Sequence, residues 1–208
     1  TDDTTHVHTR EEVLLLLQRM CPEGPLQADG SRVRTIGLVG YPNAGKSTLL
    51  SAISSARPKI AAYPFTTLHP NIGIVEFVDY SRLTVCDIPG IIEGAHNNVG
   101  LGHAFLRHVL RCRVLVFMID MAGTDNRKPW DDFRQLLTEL EMYNPELLNR
   151  PRLVAANKMD EEPAAEKLKQ FQKEVGPVDV VEISAAFDLG LEDLKNKMQQ
   201  IVAAQPIE

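Results

Sequence analysis

Lys46 closes the run Gly40-Tyr41-Pro42-Asn43-Ala44-Gly45-Lys46-Ser47, which fits G-x-x-x-x-G-K-[ST] directly after an apolar segment and before a helical one. Glycines at 40 and 45 let backbone N–H groups turn inward around phosphates, at a helix N-terminus whose dipole favours anions. In that pattern Lys46 reaches the β- and γ-phosphates and Ser47 Oγ ligates Mg²⁺, with Asn43, Ala44 and Thr48 completing the cradle. Asp87-Ile88-Pro89-Gly90 ends a later apolar run. A carboxylate there holds the metal through water, and Gly90 offers an N–H to the γ-phosphate with no side chain in the way. Thr66 and Thr67, after Phe65, lie in the long segment between these two motifs. One hydroxyl, Thr67 in preference to Thr66, would join the metal shell only while the γ-phosphate is present, ordering the loop.

Asn157-Lys158-Met159-Asp160 has the residue types that read a base. A buried carboxylate at Asp160 suits the guanine N1–H and N2 amino donors, and a base lacking them would leave that charge unpaired. Asn157 would buttress the loop and contact the base, while the Lys158 stem covers its face. Ser184-Ala185-Ala186 is small enough for close approach and offers a backbone N–H to guanine O6. In this order the motifs predict a GTP/GDP and Mg²⁺ site that changes conformation when the γ-phosphate is lost.

The elements that must position these residues alternate between short apolar runs and helical periodicity. Strands are expected at Ile36–Val39, Gly73–Val78, Arg82–Cys86, Val114–Ile119, Leu153–Ala156 and Val178–Ile183. Helices are expected at Lys46–Ser55, Gly102–Cys112 and Ala164–Glu174. Two more follow from the spacing of Trp130, Phe133, Leu136, Leu137, Leu140 and Tyr143, and of Leu191, Leu194, Met198, Ile201 and Val202. That order predicts an α/β fold, a mostly parallel sheet with helices on both faces and ligand loops at the strand C-terminal ends. The expected domain runs over residues 34–205. Ahead of it, residues 1–33 read as a short helix, opened by a Thr9/Glu12 capping box, and a Pro- and Gly-containing connector.

Composition narrows the class. The 208 residues are 44% hydrophobic and 24% charged, the profile of an ordinary globular domain. A formal net charge of −6 gives no general affinity for nucleic acid. Apolar stretches such as Val13–Leu17 are too short to span a bilayer. Cys21, Cys86 and Cys112 form no zinc or CxxC pattern and suit a reducing compartment. Acidic residues among the first twelve positions fit neither a transit peptide nor a signal sequence, so any targeting segment is expected to be missing or removed.

The segments Tyr41–Leu50, Arg57–Leu68, Pro70–Gly73, Asp87–His96 and Gly100–His108 together resemble the Obg family of translation GTPases. Tyr63-Pro-Phe-Thr-Thr67 and Gly100-Leu-Gly-His103 are the most specific of these, and the resemblance runs from Arg34 to Val202. Ala95–Asn98, Phe105–His108 and Glu139–Tyr143 look most like the mitochondrial Obg-type proteins. The resemblance implies a P-loop GTPase that hydrolyses GTP to GDP and phosphate as a switch. It also implies the large ribosomal subunit, or its assembly intermediate of ribosomal RNA and proteins, as partner. The compartment implied is the mitochondrial matrix, with bacterial cytoplasm or chloroplast stroma as alternatives. Obg proteins carry a long glycine-rich domain ahead of the GTPase domain, whereas only residues 1–33 precede the first strand here. An isolated domain of a longer chain and a protein lacking that module both fit. An ATPase of the Obg-related kind is disfavoured by Asp160, which those proteins lack.

Two features bear on mechanism. Ras-like enzymes place a glutamine directly after D-x-x-G to orient water. Here that position is Ile91, followed by Ile92, and Glu93 reads as a solvated loop carboxylate. Slow hydrolysis is expected unless another group helps, which keeps open a GTP/GDP-sensing module with incidental hydrolysis. Asn43 beside a hydrophobic residue at the glutamine position resembles the group of GTPases activated by K⁺. The second feature is the helix Gly102–Cys112, where His103, Arg107 and Arg111 recur every four residues. That stripe is either a basic face for ribosomal RNA phosphate or an ordinary solvated face.

Overall fold

A computed structural model describes residues 34–55, 59–60, 71–79, 81–88 and 112–205. The expected helices near Thr9 and at 102–112 lie outside the described residues, as do Phe65, Thr66, Thr67, Gly90 and Ile91–Glu93. The described chain alternates strands and helices: β1 (Arg34–Val39), α1 (Lys46–Ile53), β2 (Lys59–Ile60), β3 (Asn71–Glu76), β4 (Arg82–Asp87) and β5 (Val114–Asp120). Then come α2 (Pro129–Tyr143), β6 (Arg152–Asn157), α3 (Ala164–Val175), β7 (Val180–Glu182) and α4 (Leu191–Ala203). Two short 3-10 turns, Thr124–Asn126 and Pro145–Asn149, sit on either side of α2.

The seven strands form one sheet in the order β2-β3-β4-β1-β5-β6-β7. Parallel pairing joins β4, β1, β5, β6 and β7, and only β2–β3 and β3–β4 are antiparallel. The exception has a local cause. Asp79 Oδ1 accepts from the Ser81 N–H at 3.0 Å and the Phe77 N–H bonds Ser81 O at 3.0 Å, closing a turn too tight for a parallel crossover. β5, flanked by β1 and β6, is buried from Val114 to Ile119, whereas β3 alternates between buried and exposed positions.

Alternation along the strands feeds two cores. Leu38 and Val116 pack with Leu49 and Leu50 of α1 and with Leu194 and Met198 of α4. Val39, Phe117 and Ile119 pack with Phe133 and Leu136 of α2 and Phe171 of α3. Phe133 stands edge-on to both Phe117 and Phe171, with centroids 5.1 and 5.6 Å away. Helices therefore cover both faces, as the alternating pattern requires. Among the described residues no helix is long and apolar enough to cross a membrane.

Three boundaries differ from expectation. β3 lies at Asn71–Glu76 rather than 73–78, because Val78 belongs to the turn and is 99% exposed. α1 stops at Ile53: Ser54 turns extended, and its hydroxyl accepts from the Ile74 N–H at 3.2 Å, tying the helix end to β3. β7 keeps only Val180–Glu182 of the longer apolar run.

Candidate nucleotide site

β1 delivers Gly40 against β5, where an added Cβ would stand 2.6 Å from the Met118 carbonyl oxygen; only glycine permits that approach. The chain then bends through Asn43, at φ 62°, and Gly45, at φ 98°. The Ala44 N–H closes the bend on Tyr41 O at 3.2 Å. α1 begins immediately at Lys46 with no side chain capping its first turn, so that turn keeps N–H groups to offer to a ligand. Asn43, Ser47 and Thr48 are exposed, and Ala44 is buried.

Parallel pairing of β4 on β1 puts Asp87 level with Leu38, beside the loop. Asp87 is 8% exposed, and its Oδ1 is buried without a hydrogen-bond partner among the described residues. Burial raises its pKa above the ordinary carboxylate value, opposed by the Lys46 charge. Lys46 shows the complement: burial lowers its pKa, opposed by Asp87. Its ammonium donates to two neutral acceptors, the carbonyls of Gly40 and Tyr41 (the latter at 3.1 Å). A buried carboxylate oxygen without a donor fits a cation, and a buried ammonium held only by carbonyls fits an anion. The donor set of Ser47 hydroxyl and Asp87 carboxylate is hard oxygen, as Mg²⁺ prefers.

Asn157 ends β6 and is 3% exposed. Its Nδ2 donates to Ala44 O at 2.8 Å, and its Oδ1 accepts from the Ala185 N–H at 3.0 Å. One amide thus fastens the phosphate loop to the loop after β7, and those bonds leave it a support rather than a free base contact. Lys158 adopts φ 64°, and its Nζ is held by Asp120 Oδ2 and Thr124 Oγ1, each at 2.7 Å. Burial pushes the Asp120 carboxyl up, but the hydrogen bonds from Lys158 and Thr124 outweigh it and leave the pKa below the ordinary value. Asp160 was expected to be a buried carboxylate; it is exposed, with no protein partner among the described residues. Its loop is fixed instead by backbone bonds, Met159 N–H to Ile183 O and Glu161 N–H to Lys158 O, both at 3.1 Å.

In the small-residue loop the Ser184 N–H bonds Leu189 O at 3.0 Å and the Ala185 N–H bonds Asn157. That leaves Ala186 as the backbone donor available to a ligand. The fold thus brings together Gly40–Thr48, Asp87, Asn157–Asp160 and Ser184–Ala186. Sequence reading overlooked Asp120 and Thr124. The signal was present: β4, β5 and β6 each end an apolar run on Asp or Asn, at Asp87, Asp120 and Asn157.

Residues 35–158 match the family model described as 50S ribosome-binding GTPase. The chain is 53% identical over 180 residues to GTPase Obg of Akkermansia muciniphila, covering 86% of this chain and 51% of the relative. The chain belongs to the Obg family of P-loop GTPases. GTPase Obg of Chloroflexus aggregans is 54% identical over 184 residues, or 87% of this chain and 42% of its own length. The chain therefore spans about half the length of the curated relatives it matches. Among solved structures, Era in complex with MgGDPNP and nucleotides 1506–1542 of 16S ribosomal RNA has TM-score 0.61 at 27% identity, covering 82% of this chain and 57% of that one. The G domain of the T. maritima FeoB iron transporter has TM-score 0.59 at 22% identity, covering 82% and 99%, and shows the same fold.

Proposed function

We propose that this chain binds GTP and Mg²⁺ and hydrolyses GTP to GDP and phosphate, the loss of the γ-phosphate switching its conformation. The observation that carries the reading is the Asn157 amide, which joins Ala44 of the phosphate loop to Ala185 of the last loop. It sets the phosphate-binding backbone and the Asp160 loop on one framework, as a guanine nucleotide requires. Lys46 and Asn43 address the phosphates, while Ser47, Asp87 and Thr67 hold Mg²⁺. Gly90 meets the γ-phosphate, and Asp160 and Ala186 read guanine beneath the Lys158 stem. Phe65 and Thr66 complete the first switch segment. Mg²⁺ there supplies charge that offsets the phosphate oxygens as the bond breaks. Substituting Asp160→Asn exchanges an acceptor for an amide and shifts preference from GTP towards XTP. Equal GTP and XTP affinities in parent and variant would refute the base assignment.

Ile91 stands where a water-orienting glutamine would, so hydrolysis needs another source of positive charge. K⁺ beside Asn43 supplies it in this proposal, and turnover is faster in KCl than in NaCl at matched ionic strength. Asn43→Ala abolishes that difference while GDP still binds. The same Ile91 favours a second reading, a GTP/GDP sensor whose hydrolysis is incidental. Single-turnover hydrolysis with and without large ribosomal subunits separates the two.

The partner proposed is the large ribosomal subunit or its assembly intermediate, met in part through Arg107 and Arg111. The motif resemblance supports the mitochondrial matrix, while the reported Obg relatives are bacterial and support a bacterial cytoplasm. Reversing charge at Arg107 and Arg111 lowers association with the particle and its salt dependence without changing GTP affinity.

A further inference from the structure

The phosphate loop is gripped from its outer side by a cluster that the nucleotide chemistry above does not use. Tyr41 packs in the core with Val39, Phe117 and Ile119, whereas Ala44, three residues on, packs in the core on the opposite face of the sheet. The bend between them is thus pinned at both ends. Above the Tyr41 ring lies the Arg127 guanidinium, 3.6 Å from the ring centroid. Arg127 has no freedom to leave: Nε donates to both Asp132 oxygens at 3.1 and 3.0 Å, and Nη2 donates to Oδ1 at 2.7 Å. Asp132 is itself buried in the first turn of α2, its N–H bonded to Lys128 O at 3.0 Å.

Tyr41 is also the loop's hub on the inner side. Its carbonyl accepts from the Ala44 N–H and from the Lys46 ammonium. Tyr41, Pro42 and Asn43 line one cleft together with Thr124, Asp125 and Arg127. Asn43 sits in the left-handed region, which asparagine tolerates better than most non-glycine residues.

We propose that Arg127, locked by Asp132 and stacked on Tyr41, is a positioning residue for the phosphate loop, holding residues 41–43 in the bend that presents Asn43. The inference rests on the reading of this loop as the hydrolytic site. A flat guanidinium is required, because it grips the carboxylate with the two N–H groups of one edge while covering the ring with its face; a lysine does one or the other.

The test uses the full chain with Mg²⁺, measuring single-turnover GTP hydrolysis, GDP affinity and thermal midpoint. Tyr41→Leu removes the stacking face and leaves the ion pair intact; Arg127→Lys keeps a charge for Asp132 and removes the flat face. Each lowers the hydrolysis rate about tenfold, with GDP affinity within about threefold of the parent; Tyr41→Leu, which trims a core side chain, also lowers the midpoint. The double variant is no slower than the slower single one, since both remove the same contact. Tyr41→Phe, which keeps the ring, hydrolyses within about twofold of the parent. Rates like the parent's in Tyr41→Leu and Arg127→Lys overturn the proposal, and so does a loss of rate in step with GDP affinity, the mark of a purely structural contact. A parent that does not hydrolyse GTP overturns the hydrolytic reading and the positioning role together.

Discussion

At the phosphate end of the cleft, Lys46 and Asp87 point into the protein, and burial displaces both pKa values towards the neutral forms. At the base end the order is reversed: the supporting amide of Asn157 is buried and doubly bonded, while the reading carboxylate of Asp160 stands in solvent. The first end carries charge that the protein alone does not satisfy and that a metal and phosphates would. At the second the buried amide already has its partners, and the Asp160 carboxylate faces solvent. Ligand binding at the phosphate end should therefore feed back on stability, and at the base end it should decide specificity alone.

Lys46→Met should give the largest effect, a loss of roughly hundredfold or about 3 kcal/mol in both GTP and GDP affinity by calorimetry, because charge-assisted bonds to phosphate disappear. A loss below tenfold would put the main phosphate contact elsewhere. Asn157→Ala should lower unfolding free energy by about 2–3 kcal/mol in urea, since it strands the Ala44 carbonyl and the Ala185 N–H. If stability holds while only base affinity falls, the amide is a reader and not a support.

The third test concerns pH. Asp87 has a folded pKa above its unfolded value, so the stability it contributes is full below the unfolded pKa and lost as pH rises through the folded one. In nucleotide- and Mg²⁺-free protein, the stability of the parent relative to Asp87→Asn should therefore rise as pH falls from 7 towards 4. Saturating Mg²⁺ and GTP should flatten that dependence. A flat difference without ligand would show that burial is not what displaces the carboxyl. The smallest effect belongs to the base end: Asp160→Asn should change ligand-free stability by less than about 0.5 kcal/mol in the same urea assay, as for other exposed positions. A larger change would erase the contrast between the two ends.

Much of the fold was legible because apolar runs and helical spacing report burial directly. Val114–Ile119 could only be an inner strand, and Trp130–Tyr143 could only be one side of a helix. The antiparallel β3–β4 pair was legible too, from the short Asp79–Ser81 link. Placement of Asp87 followed from its position at a strand end, and that of Lys46 and Ser47 from the start of the helix after the glycine-containing loop. Sidedness did not follow. The exposure of Asp160 depends on how far its loop rises above the sheet, and β7 bonds fix that. The ties from Lys158 to Asp120 and from Arg127 to Tyr41 join residues 38 and 86 positions apart, and no local pattern encodes such pairs. The Thr124–Asn126 turn escaped for a related reason: Asp125 and Asn126 themselves take positive φ after Gly123, which a short polar run does not announce.

The bond from Asn157 to Ala44 closes a stretch of 113 positions. On the ribosome the phosphate loop emerges early, yet the amide that steadies it is made only after β5 and α2. At 5–20 residues per second that interval is roughly 5 to 20 s. A nascent chain ending ahead of β6 would therefore display the phosphate loop without the amide that steadies it. Closing so long a loop adds little entropy cost beyond that of a shorter one, so the delay is one of order rather than of energy. The phosphate loop thus gains its full support only when β6 and β7 have joined the sheet.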